Sequence, residues 1–115
     1  MYEEIIIKET LTDELLLDYL TIDKVEICKT NNLIKYWTLI HFHSETEDLP
    51  QRLAAVILDD WFADMKSGNN KYVIFKDKVL KYEAGNVTER DEVFNYMRSR
   101  GIPESQISGS SRWDE

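Results

Sequence analysis

The chain has 115 residues, 43% of them apolar and 31% charged, with a net charge of −8. That size suits one domain with its own core, and the composition is that of a globular protein rather than a disordered one. Acidity on this scale argues against direct binding of DNA or RNA, whose phosphates reward a basic footprint, and against anionic membrane surfaces.

Residues 1–64 hold fourteen acids and five bases, net −9, whereas residues 65–115 hold eight acids and nine bases, net +1. The lone cysteine, Cys28, has no partner for an internal disulfide. It favours a reducing compartment. The Met1-Tyr2-Glu3-Glu4 start lacks the basic, then apolar, pattern of a secretory signal, and no stretch approaches a membrane span. The expected location is the cytoplasm.

In chain order, residues 4–9 predict a β-strand, since β-branched side chains suit a pleated surface. Thr10 or Thr12 would cap a helix reaching Leu20, with Leu16 and Leu20 on its apolar face. Residues 24–29 alternate, with Val25 and Ile27 on one side and Lys24, Glu26 and Cys28 on the other. This predicts a half-buried strand. Asn31 and Asn32 make a turn, and residues 33–43 form a long strand that completes a hairpin.

Asp48, Pro50 and Gln51 resemble a helix start, and the spacing of Leu53, Ile57 and Trp61 predicts a helix as far as Lys66, ended by Gly68. Residues 71–75 and 79–82 form a second hairpin around residues 76–78. A third helix opens at Thr88 and presents Val93, Phe94 and Met97. It closes in a Schellman ending at Gly101 and Ile102. Residues 1–103 form the domain and residues 104–115 a flexible tail.

The order β-α-β-β-α-β-β-α is that of an α+β protein. Its first six elements match the ferredoxin-like split βαβ plan, and a strand and C-terminal helix are added.

Candidate chemistry is sparse. His41 and His43 share one face of a strand, where both imidazoles could reach one metal ion. No third ligand is adjacent in sequence, so two half-exposed strand-end residues are the plainer reading. Asp59, Asp60 and Asp64 cluster on the second expected helix; a solvated helix face accounts for them as well as a carboxylate pair does. No glycine belongs to a phosphate-binding loop, and no serine sits in a nucleophile motif. Trp37 and Leu39 lie on the long strand, both faces of which carry large apolar residues. Trp113 sits in the polar tail, placed either to anchor a partner or to fold back.

The sequence therefore favours a non-enzymatic interaction or regulatory domain without cofactor, partnered by another protein or a second copy of itself. A decoy that presents carboxylates in place of phosphates comes second. A metal-dependent enzyme using His41 and His43 comes third.

Overall fold

The computed structural model describes residues 1–30 and 36–108. The protein is α+β, built on one six-stranded sheet. The strands are β1 (Tyr2–Ile7), β2 (Thr21–Lys29), β3 (Tyr36–Ser44), β4 (Ala63–Ser67), β5 (Asn70–Phe75) and β6 (Lys78–Glu83). Their spatial order is β2-β3-β1-β4-β5-β6, with every neighbouring pair antiparallel. Two helices, α1 (Leu49–Val56) and α2 (Val87–Ser99), pack against this sheet.

Both expected hairpins form. β2 pairs with β3, and β5 pairs with β6. Part of the first hairpin's turn, residues 31–35, lies outside the described residues.

Two expected helices are corrected. The segment after β1 is not one α-helix but two 3-10 turns, Lys8–Thr10 and Glu14–Tyr19. Asp13 rather than a threonine caps the second, its Oδ1 accepting from Leu15 N at 2.9 Å. The threonine hydroxyls are engaged elsewhere: Thr10 Oγ1 donates to Ile7 O and Thr12 Oγ1 to Val56 O.

The second expected helix ends at Val56, ten residues before Lys66. Ile57 turns into extended backbone and bridges to Leu11. Leu58 N then donates to Thr10 O, and Thr12 N to Val56 O. These bonds to the segment after β1 take main-chain groups that a continuing helix would use. Residues 63–67 become β4, and Gly68, expected as a helix terminator, opens the turn into β5. Its φ of +58° suits the first position of a two-residue hairpin loop.

The sheet is apolar on both faces. On one face Ile6, Ile40, Phe42, Met65 and Ile74 bury under α1 and the 3-10 turns, with Leu16, Leu49, Leu53 and Ile57 contributed from above. On the other, Val73, Phe75 and Tyr82 bury under Val93, Phe94 and Met97 of α2. Asn86 caps α2, its Oδ1 accepting from Glu89 N, two residues earlier than the expected Thr88. The helix ends in the expected Schellman pattern: Ile102 N donates to Met97 O, Gly101 N donates to Arg98 O, and Gly101 has φ +81°.

The start of the expected tail is docked. Residues Glu104–Gln106 form a 3-10 turn, and Ile107 is 0% exposed within the α2 core. Glu104 pairs with Arg98 and accepts from Ser108 Oγ, which ties this turn to the end of α2.

Met97 is also 0% exposed. Met97→Ala and Ile107→Ala should each cost about 2–5 kcal/mol in a urea melt, the range for deleting a fully enclosed side chain. A loss below about half a kcal/mol at either position would show that the α2 layer is peripheral.

Candidate functional site: the uncovered sheet face

α2 lies over β5 and β6 and leaves the same face of β1, β3 and β2 without a helix. Side chains alternate along a strand, so the strand registers decide which residues this open face presents. β3 places Trp37, Leu39, His41 and His43 there, β1 places Ile5 and Ile7, and β2 places Lys24, Glu26 and Cys28. β4 adds Asp64 and Lys66.

The two histidines share a face, as expected, and each meets a carboxylate on β2. His41 Nε2 lies 2.5 Å from Glu26 Oε1, and His43 Nδ1 lies 2.9 Å from Asp23 Oδ2. Lys24 Nζ is 3.6 Å from the same Glu26 oxygen. These contacts stitch β2 to β3 where a register shift between Ile22 and Lys24 makes Asp23 the extra residue of a bulge. Among the described residues, no three His, Cys, Asp or Glu side chains assemble into a metal-holding set.

β1 and β4 match at only one register position, Glu3 with Lys66. Beyond it they enclose a groove of about 310 Å³ lined by Ile5, Ile7, Leu39, Phe62 and Asp64, among others. At the far end of β3, Trp37 is not an isolated surface ring. It meets Trp61 edge-on, with centroids 5.3 Å apart.

β1 stops at Ile7, and the carboxylate of Glu9 takes over beside β3. It accepts from Thr38 N at 2.6 Å and from Thr38 Oγ1 at 2.8 Å. Burial acts to raise the Glu9 pKa, but the Thr38 hydrogen bonds outweigh it and hold the carboxyl below its ordinary value. Glu26 is held below its ordinary value chiefly by its hydrogen bond to His41, helped by the charge on Lys24.

The acidic cluster is dispersed, because the helix expected to carry it stops at Val56. Asp59 and Asp60 lie in the turn that follows, and only Asp64 reaches the open face. Asp59 O accepts from the Arg100 guanidinium, whose carbon lies 5.0 Å from the Phe75 ring centroid. Trp113 lies outside the described residues.

Sequence reasoning did not single out Glu26, Asp23 or Glu9. Glu26 stood beside Lys24 in the alternation of its strand, but the bulge that aligns Asp23 with His43 has no signal in the sequence. Comparison with protein-family models, with curated proteins and with solved structures gives no match. Among the described residues, no helix is long and apolar enough to cross a membrane.

Both lowered carboxyls act in one direction. A folded-state pKa below the unfolded value contributes stability that is present above the ordinary carboxylate value of 4.5 and is lost as pH falls through the lower folded value. Unfolding free energy should therefore fall on acidification below that range. Glu9→Gln should flatten part of the fall and cost about 1 kcal/mol at neutral pH. A Glu9→Gln variant with the wild-type pH profile would remove Glu9 from this role.

Proposed function

We propose that the protein is a non-enzymatic interaction domain and that the sheet face beyond α2 is the surface it offers to a protein partner. One observation carries this reading: Ile5, Ile7 and Leu39 line an open groove on a face whose other half is closed by α2. Ile5 is 38% exposed. An apolar lining bordered by Asp64, Lys66, Glu26 and the histidines has the make-up of a binding patch, an apolar centre inside a polar rim.

The order β2-β3-β1-β4 supports a ferredoxin-like split βαβ plan for the first four strands. The 3-10 turns would stand in place of its first helix, with β5, β6 and α2 as additions. That plan serves many activities and adds nothing to the choice among them. The single free cysteine, Cys28, supports a cytoplasmic setting. A decoy reading would rest on the acidic excess of residues 1–64, since Asp59, Asp60 and Asp64 do not share a helix.

The test is affinity capture from the native host with three forms of the protein. Wild type and Leu15→Lys, a change at an exposed position of the second 3-10 turn, should retain the same specific protein. Ile5→Lys, which puts a charge in the groove, should lose it while keeping the wild-type circular dichroism. A partner retained equally by all three forms would remove the open face from consideration.

A further inference from the structure

β2 ends the sheet, so among the described residues one side of its main chain has no strand neighbour. Such an edge is a template for another strand, and proteins usually blunt it with charges, bulges or cover. Here the blunting is partial. The bulge at Asp23 interrupts the start of β2, but from Lys24 to Lys29 the pairing with β3 is regular.

Val25 and Ile27, the apolar side of the alternation, are 52% and 72% exposed, while Glu26 and Cys28 are half-buried. Val25 and Ile27 share the face that α1 covers, but α1 packs over the other end of the sheet against β5 and β6. Ile22 and Tyr36 on the same side are exposed too, which concentrates apolar surface along this margin. The opposite edge strand, β6, has α2 packed on one face and carries Lys78 and Lys81.

We infer that β2 is a pairing edge and that its occupant is β2 of a second copy of this chain, joined antiparallel about a two-fold axis at Val25. The register follows from geometry and charge. In an antiparallel pair, residues whose main-chain groups point outward must meet residues of the same kind. The axis must then pass through a residue pair and not between two residues. Centring on Lys24 opposes two ammonium groups, and centring on Glu26 opposes two carboxylates. Centring on Ile27 sets Lys24 against the partner's Thr30 and Glu26 against the partner's Cys28, so neither charge meets its opposite.

Centring on Val25 sets Lys24 against the partner's Glu26, and Glu26 against the partner's Lys24. Val25 then meets the partner's Val25, and each Ile27 lies opposite the partner's Asp23 and diagonal to the partner's Val25, which covers the two most exposed apolar side chains of the stretch. Both halves of this complementarity reside in residues 24–27, so a second copy satisfies it without any further partner. The edge shares only Glu26 with the rim of the open face and none of the groove between β1 and β4, and the inference does not depend on the proposed function.

Light scattering after size exclusion, on the full chain across a range of concentrations, tests it. Wild type should dimerise reversibly. Lys24→Glu and Glu26→Lys should each weaken the dimer by about tenfold or more while keeping the folded circular dichroism, because each opposes like charges twice. Mixing the two variants should give a heterodimer, and the double variant should dimerise on its own.

A wild type that stays monomeric into the millimolar range overturns the proposal and leaves the edge to a strand of a different protein. A dimer that withstands both reversals overturns it too, as do variants that fail to recover on mixing.

Discussion

A six-stranded sheet is wider than the helices this chain supplies. Strands lie about 4.8 Å apart, so five spacings span about 24 Å, while a helix with its side chains is about 10 Å across. The described residues form two α-helices, of eight and thirteen residues, and these lie on opposite faces. Every distinction between core and surface follows from that mismatch. β5 is sandwiched: adjacent Val73 and Ile74 point to opposite faces, and both are 0% exposed. β2 lies farthest from both helices and leaves its apolar side in solvent.

The same mismatch explains why identical local patterns end differently. Residues 72–75 (Tyr-Val-Ile-Phe) and 5–7 (Ile-Ile-Ile) both predict strands wanted on two faces. The first run is closed from both sides. In the second only Ile6 is buried, because β1 sits beyond the reach of α2. The alternation of β2 likewise marked its two sides correctly but gave no information on which side would be covered. Covering depends on where the helices pack, and no residue within β2 encodes that.

Helix positions were less legible than strands for a related reason. Leu53, Ile57 and Trp61 are spaced as a helical row, and Ile57 is fully buried. Yet Ile57 is buried as extended backbone bridged to Leu11, and helical periodicity cannot separate the two cases when the residue faces the core either way. Gly68 carried the same ambiguity, since a positive φ serves a helix end and a hairpin turn equally. α2 was legible because its apolar stripe and Schellman ending agree with one another, although its cap lies at Asn86 and not at Thr88. Within the candidate site, strand parity alone placed Trp37, Leu39, His41 and His43 together. The partners of the histidines required the register between β2 and β3, which the bulge at Asp23 sets.

The account depends on a sheet whose cover thins from β5 to β2, and amide hydrogen exchange measures that gradient residue by residue. In dilute solution, where any association through β2 is minimal, the amides of Val73 and Ile74 should exchange only through global unfolding. Those of β2 that do not face β3 should exchange within the dead time, and those that do should open at a much lower free energy than β5. Protection of β2 equal to that of β5 under these conditions would contradict the account, because it would mean that both ends of the sheet are covered alike.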